Sequence, residues 1–246
     1  MEVESETKAE LRLGRIVGEF IATYRASWRD LLLLGLLIFV PVGLLESIGP
    51  TDVQIDRIDD LRLIPIALLA SIQIVVPLLG TVFYAGAVSA QVVRMRGGAH
   101  LGIRELAREL PYGRLVAADV LLVLLTGVGL ALLLVPGFVI LTLYALIAPI
   151  IEIEDSTVRA SLKRSRELVR GNFWKVAGLI WPATLLSSAL EAVGDDSAFE
   201  ILGEGFPADW LSTVLGNLLA GPVWALIVVI LYLELTRLKE ASARAR

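Results

Sequence analysis

Long apolar runs alternate with shorter polar stretches along the whole chain. A helix needs about 20 mostly apolar residues to cross the hydrocarbon core of a bilayer. On this measure the pattern predicts six membrane-spanning helices, with the approximate bounds 31–48, 71–93, 115–135, 138–153, 173–190 and 210–235. The third and fourth spans are separated only by Pro136–Gly137, and a turn this short joins antiparallel neighbours.

One apolar run is open to two interpretations. Residues 61–93 are more than a single straight crossing requires. Residues 61–70, which include Pro65, form either an outer extension before span two or the start of one long tilted helix. In the second case the helix is kinked at Pro77 and Gly80. The hydrophobic pattern fits both arrangements.

Polar stretches with amphipathic helices precede the hairpins, and residues 152–175 contain the clearest of these helices. At about 100° per residue, one face is apolar or small and the other is charged. The first face consists of Val158, Ser161, Leu162, Ser165, Leu168 and Val169, and the second of Arg159, Lys163, Arg164, Arg166, Glu167 and Arg170. Asp155 and Ser156 are the predicted N-cap, and Gly171 is the predicted stop before the aromatic pair Phe173–Trp174.

The charges decide how the spans are oriented. Two further amphipathic helices lie in residues 1–30 and 94–113. Of the 22 Lys and Arg residues, only Arg57 and Arg62 lie outside these three stretches, their immediate borders and the tail, residues 236–246. Because Lys and Arg favour cytoplasmic loops, both termini and all three amphipathic helices are predicted to be cytoplasmic, which requires an even number of spans. The sequence thus predicts an all-α polytopic membrane bundle of three hairpins, each preceded by a cytoplasmic amphipathic helix.

Composition agrees with a membrane protein and argues against several other classes. Hydrophobic residues make up 56% of the 246 positions, and the mean hydropathy is +0.75, too apolar for an ordinary soluble domain. Without cysteine the chain has no disulfide and no Cys-based metal site. The net charge of −4, with no basic domain standing apart, argues against nucleic-acid binding. We predict a cytoplasmic segment (1–30), a membrane domain (31–235) and a cytoplasmic tail (236–246).

Part of the chain resembles a known family. Residues 152–179 contain the run SLKRSRELVRGNFWKVAGL, and residues 11–41 include LRLGRI and YRASWRDLLLLGLLIFVP. Residues 152–179 are similar to a pattern in which a Glu ends the fourth span. An Ala-Leu-x-Arg-Ser-x-x-Leu helix comes next in this pattern, followed by Gly and by an aromatic residue before Trp. Ser161 replaces the alanine, and the residues kept are Leu162, Arg164, Ser165, Leu168, Gly171 and Trp174. This signature resembles that of the bacterial glycerophosphoryl diester phosphodiesterase membrane-domain family.

The resemblance implies a free-standing six-helix membrane domain of a bacterial plasma membrane. In that family the phosphodiesterase activity belongs to a separate soluble domain, so the resemblance does not imply an enzyme here. The residues agree, because the single histidine, His100, has no partner at metal-ligand spacing, and P-loop, G-x-S-x-G and H-E-x-x-H motifs are missing. We therefore predict no enzymatic activity, no metal and no cofactor.

Polar residues inside the predicted spans are the remaining candidates for a functional role in the interior, because placing a polar side chain in lipid costs free energy. Asp119 lies about one turn into span three, where it faces either the bundle or the cytoplasmic headgroups. Asn217 and Gln73 are amides at span depth, of a kind that commonly joins helices. Glu234 and Arg237, three residues apart, are predicted to pair within one helix.

The charged face of residues 152–175 is the candidate binding surface. It should attract anionic lipid headgroups, or dock a membrane or cytoplasmic protein. Its candidate residues are Arg159, Lys163, Arg164, Arg166, Arg170 and Trp174. We predict a non-enzymatic structural or interaction module of the membrane; the alternative is a transporter or an ABC-type permease subunit, which a co-purifying ATPase would favour.

Overall fold

The fold consists of helices throughout the part of the chain that the structure describes. This computed structural model describes residues 11, 13–47, 80–98, 103–132, 134–203 and 205–244. Within these ranges there is no strand, so the all-α prediction is confirmed. Gln73, His100 and the two alternatives for residues 61–70 lie outside the described residues.

Within the described ranges the α-helices are numbered α1 to α9 in chain order. Their bounds are α1 Leu13–Ser47, α2 Thr81–Arg96, α3 Ile103–Glu109, α4 Tyr112–Leu132, α5 Leu134–Tyr144, α6 Ile147–Ile153, α7 Val158–Val169, α8 Phe173–Leu202 and α9 Phe206–Arg244. A 3-10 turn, Arg170–Asn172, joins α7 to α8. Three helical stretches are long and apolar enough to cross a membrane: Leu13–Leu44, Val158–Gly194 and Phe206–Arg244. The chain is therefore a helical membrane protein.

Helix α9 is the centre of the bundle. It packs against α1, α2 and α8, and most of its apolar part is buried, whereas fewer than half of the residues in the apolar parts of α1 and α8 are buried. The core lies where α1, α2 and α9 meet, with the rings of Phe39 and Tyr84 5.1 Å apart. Gly221 of α9 faces both rings, and a Cβ there would lie 3.1 Å from Phe39. The Tyr84 hydroxyl donates to the carbonyl of Leu31 at 2.9 Å, which satisfies this buried polar group.

The α8–α9 hairpin differs from its predicted form. The predicted spans, 173–190 and 210–235, leave residues 191–209 between them, but α8 continues to Leu202 and α9 begins at Phe206. Gly194 of α8 lies against the backbone of α9, where an added Cβ would be 2.5 Å from the nitrogen of Gly216. Two glycines let the helices approach this closely.

The predicted fourth span is interrupted. Helix α5 ends at Tyr144 and α6 begins at Ile147, whereas one span over 138–153 was expected. Pro149 has no N–H to offer the carbonyl of Ala145, four residues earlier, and its ring crowds that carbonyl. The α-helical pattern therefore breaks immediately before α6.

The predicted Pro136–Gly137 turn is also placed differently. Both residues belong to α5, which begins at Leu134. Proline is tolerated in the first turn of a helix, because the N–H groups there have no acceptor within the helix.

The predicted borders near residues 30 and 236 are not marked by breaks. Helix α1 is continuous over 35 residues, about 52 Å at 1.5 Å per residue. Helix α9 is continuous over 39 residues. Both exceed the hydrocarbon core of a bilayer, which is about 30 Å thick, so each has a segment that extends beyond it.

Candidate functional site

Helix α7 carries the candidate binding surface, and its N-cap differs from the one predicted. The N-cap is Thr157, whose hydroxyl accepts from the backbone N–H of Ala160 at 3.4 Å. Asp155, one of the two predicted caps, has a left-handed backbone (φ 49°) and pairs with Arg114 instead. At the other end α7 stops at Val169 with Arg170 as its C-cap, so Gly171 follows the cap as predicted, inside the 3-10 turn that leads to α8.

The inward face of α7 is held by packing and by one specific hydrogen bond. Ser161, Ser165, Leu168 and Val169 are buried, and Val158 and Leu162 are partly buried. The hydroxyl of Ser165 donates to the carbonyl of Leu143 at 2.7 Å. That carbonyl stands at the end of α5, where the helix break removes its normal partner. Ser165 therefore supplies a donor to a carbonyl at the end of α5.

Arg164, predicted to belong to the charged surface, has a partner within the protein. Its Nε donates to Glu154 at 3.0 Å, and the hydroxyl of Tyr232 in α9 donates to the same carboxylate oxygen at 3.0 Å. This carboxylate, at the C-cap of α6, thus joins side chains of α7 and α9. Arg164 consequently contributes to holding α7 in place.

The other cations of α7 face outward. Arg159, Lys163, Arg166 and Arg170 are exposed, and none forms an ion pair with another described residue. Trp174 is 79% exposed, more than any other large hydrophobic residue in the described ranges. Its ring meets that of Phe173 edge to face. The predicted surface residues, apart from Arg164, thus remain available to a partner.

Asp119, the interior candidate, lies where α4 meets the beginning of α2. It is 1% exposed. One carboxylate oxygen accepts from the N–H of Gly80 at 2.6 Å, and the other accepts from the N–H of Val82 at 3.4 Å. Asp119 therefore faces the bundle, one of the two orientations that the sequence left open.

These hydrogen bonds make Asp119 an N-cap supplied by a different helix. The first N–H groups of an α-helix have no acceptor within it, and a side-chain oxygen near them satisfies the need. A negative charge is also favourable at that end of the helix dipole. Both carboxylate oxygens are used in this role.

Close packing between α2 and α4 brings Asp119 to this position. Gly80 has φ 102°, a conformation that L side chains rarely adopt, and it turns the chain into α2. Further along, a Cβ on Gly86 would lie 2.7 Å from Leu115 of α4. Glycine at both positions allows the carboxylate to reach the backbone of α2.

Ion pairs connect different helices: α1 with α9 and α2, α2 with α3, α4 with the segment before α7, and α7 with α9. They join residues that are distant in sequence: Arg15–Glu234, Glu19–Arg96, Arg94–Glu109, Arg114–Asp155 and Glu167–Lys239. The prediction that Glu234 pairs with Arg237 is wrong, since Glu234 pairs with Arg15 of α1. The sequence offered no signal for these long-range pairs beyond the concentration of charge on one side.

One charged junction includes unpaired atoms. Glu152, at the end of α6, lies within electrostatic reach of Arg94 and Arg114. Its Oε2 and the Nη1 of Arg94 are buried and have no hydrogen-bond partner among the described residues. The junction lies where α2, α4 and α6 end, so it belongs to the same charged end of the molecule as the ion pairs.

The amides complete the set of interior polar groups. Asn217 donates to the carbonyl of Thr213 in its own helix at 2.9 Å. Sequence reasoning missed Gln91, which is buried and donates to Asp30 of α1 at 3.4 Å. Among the described residues no three His, Asp or Glu side chains are grouped as a metal site.

In comparisons with known proteins, no family model, no curated protein and no solved structure matches this chain.

Proposed function

We propose that this protein is a non-enzymatic structural or interaction module of a bacterial plasma membrane. Its chain crosses the membrane six times, with both termini on the cytoplasmic side. The similarity of residues 152–179 to the glycerophosphoryl diester phosphodiesterase membrane-domain family is part of this proposal.

The distribution of exposed side chains supports the membrane arrangement. Large apolar residues are exposed along α1, α4 and α8, where lipid would cover them. They include Leu33, Leu36, Leu37, Val116, Leu124, Leu185 and Leu186. The interhelical ion pairs join residues that the charge distribution assigns to the cytoplasm or, for Glu234, to the adjoining end of span six. Trp28 and Trp174, in two of the basic stretches, are exposed. Exposed tryptophan is typical of a membrane–water interface.

The lengths of the shorter helices are compatible with six crossings. Helix α4 has 21 residues, about 32 Å, and α5 with α6 forms an interrupted helix that runs back from it. The apolar stretch Gly137–Ile153 lies in that interrupted helix.

The observation that carries the proposed role is the use of Asp119. A transporter pathway would need this carboxylate to be open to substrate, but both of its oxygens accept backbone N–H groups of α2. The interior candidate is therefore structural, and the groups free to interact lie on the outward face of α7. This contrast favours an interaction module over the transporter alternative.

Cysteine labelling tests the topology, since the natural chain has no cysteine and so no background. We would introduce Ala160→Cys in α7, Glu200→Cys in α8 and Ser242→Cys in α9, all at exposed positions. A membrane-impermeant maleimide should label Glu200→Cys on intact spheroplasts, and Ala160→Cys and Ser242→Cys only after the membrane is opened. Labelling of Ser242→Cys from outside would contradict six crossings.

The role itself is tested by purification in mild detergent. A module should retain specific lipid or protein partners without an ATPase among them. A stoichiometric ATPase in the purified complex, with transport activity that Asp119→Asn abolishes, would favour the permease alternative instead.

A further inference from the structure

The direction of α7 relative to α8 is the first step. Ser165 and Trp181 are 16 residues apart, so one straight helix would separate them by about 24 Å. Yet Ser165 donates to Leu143, and the indole N–H of Trp181 donates to Thr142 at 3.2 Å. The two acceptors, Thr142 and Leu143, are consecutive residues of α5. Serine and tryptophan side chains are too short to bridge such a separation. The chain therefore bends sharply at the 3-10 turn Arg170–Asn172.

The bend separates α7 from the apolar helix that follows it. Helix α7 packs against α4, α5, α6 and α9. Helix α8 begins at the bend with Phe173 and Trp174 and continues as the apolar part of the stretch Val158–Gly194. The outward face of α7 consequently ends next to the point where the chain enters its apolar helix.

Four cations form a single line on that outward face, which we name the cationic row. Its members are Arg159, Lys163, Arg166 and Arg170. Their spacing of four, three and four residues keeps them on one side of a helix. From first to last the row covers about 16 Å along the helix axis. All four side chains are exposed, opposite the buried residues of the inward face.

The neighbouring acidic groups do not neutralise the row. Glu154 is bound by Arg164 and Tyr232. Asp155 is paired with Arg114, and Glu167 lies 3.7 Å from the ammonium group of Lys239. Each of these three acids thus has another partner, and the row keeps a positive charge that an external anion would compensate.

Trp174 indicates where that anion comes from. Arg170 and Trp174 are four residues apart, and Trp174 is 79% exposed at the beginning of α8. Tryptophan and arginine with exposed side chains are typical of the headgroup layer. An anion in the headgroup layer is the phosphate of a membrane lipid. A soluble partner that reached Arg170 would also have to cover Trp174, and the bilayer already covers that side chain.

We propose that the cationic row binds the phosphate-bearing headgroups of anionic phospholipids in the protein's own membrane, with Trp174 inserted beside them. This inference rests on the proposed membrane function and names the ligand class for its interaction surface.

Native mass spectrometry of the full-length protein in mild non-ionic detergent tests the proposal, with phosphatidylglycerol and phosphatidylcholine as probes. The row variant changes Arg159, Lys163, Arg166 and Arg170 to Gln. A matched control changes four exposed cations elsewhere: Arg25, Arg108, Arg237 and Arg244. Each charge near an anionic surface is expected to change affinity about fivefold, so the row variant should bind phosphatidylglycerol at least about a hundredfold more weakly.

The control should keep the wild-type preference for phosphatidylglycerol, and an excess of inorganic phosphate should not displace the lipid. Equal losses in the row and control variants would overturn the proposal, since the effect would then be one of net charge. An unchanged row variant would also overturn it, as would a soluble protein that co-purifies only when the row is intact. Circular dichroism and gel filtration of both variants check that they fold.

The result of the lipid-binding experiment can be separated from the result of the topology experiment. Lipid binding in detergent does not depend on which side of the membrane α7 occupies, whereas cysteine labelling reads only the side. If the row fails while Ala160→Cys labels from the cytoplasm, only the ligand assignment is lost.

Discussion

Asp119 in the interior and the cationic row of α7 are the two charged features that the sequence singled out. Asp119 is 1% exposed, and both of its oxygens accept backbone N–H groups. The four cations of the row are exposed and have no ionic partner among the described residues. In a membrane protein a buried charge must be satisfied internally, whereas an exposed one remains available to a ligand. The comparison separates a charge that is used inside the fold from charges that are left free for a ligand.

The largest effect should follow from removing the interior acceptor. Asp119→Leu leaves the N–H groups of Gly80 and Val82 buried without a partner, which should cost about 2–4 kcal/mol of stability. The thermal unfolding midpoint in detergent measures this loss. Asp119→Asn is the matched control, because its amide oxygen still accepts one N–H, and it should lose about 1 kcal/mol. If the Leu variant is as stable as the wild type, Asp119 does not cap α2.

A second test concerns an interior contact without charge. Gly194→Ala places a Cβ 2.5 Å from the nitrogen of Gly216, and such overpacking typically costs about 1–3 kcal/mol. Gly178→Ala in the same helix meets nothing within 4 Å and should be neutral or slightly stabilising, because alanine favours a helix more than glycine does. Unfolding midpoints that fall equally for both variants would argue against the close α8–α9 contact.

Adjacent residues on opposite faces of α7 provide a third comparison. Ser165→Ala removes the hydroxyl that donates to Leu143, with an expected loss of about 1 kcal/mol or somewhat more. Arg166→Gln, one residue later and exposed, should change stability by less than about 0.5 kcal/mol. The rate of limited proteolysis near the 3-10 turn Arg170–Asn172 measures the difference in stability between the two variants. A larger loss for Arg166→Gln would mean that the outward face has a structural role.

The smallest effect on stability should come from the cationic row itself. Changing all four cations to Gln removes no described contact, so the unfolding midpoint should stay close to that of the wild type. The lipid preference should nevertheless be lost, because the row's charge is its means of attraction. A row variant whose unfolding midpoint in neutral detergent falls well below that of the wild type would show that the four cations stabilise the fold, as Asp119 does.

Local features of the fold were predictable from the pattern of residues. The hydrophobic period predicted helices throughout, and it assigned Ser161, Ser165, Leu168 and Val169 to one face of α7, where the structure buries them. Such predictions succeed because a helix presents a residue to one side according to its position in the sequence. The borders were less predictable, since Thr157 makes one capping hydrogen bond and Pro149 lacks an N–H, and a hydrophobic pattern records neither effect.

The partners of the charged residues were not predictable. Asp119 bonds to backbone 39 residues away, and Glu234 pairs with Arg15 from the opposite end of the chain. The near neighbour, Arg237, was the expected partner and is not the one found. Which of several equivalent charges meet depends on how the helices pack, and no local spacing contains that information.

By itself the sequence determined that this chain is helical and apolar enough for a membrane, with its positive charge concentrated in a few stretches. It also determined the two faces of α7, because side-chain direction in a helix follows from residue number. Only the tertiary structure decided that Asp119 caps α2, that Arg164 joins Glu154 and Tyr232, and that the four cations of the row have no ion-pair partner among the described residues. Hydrogen bonds and ion pairs depend on distances between segments far apart in the chain, and these exist only once the helices have packed.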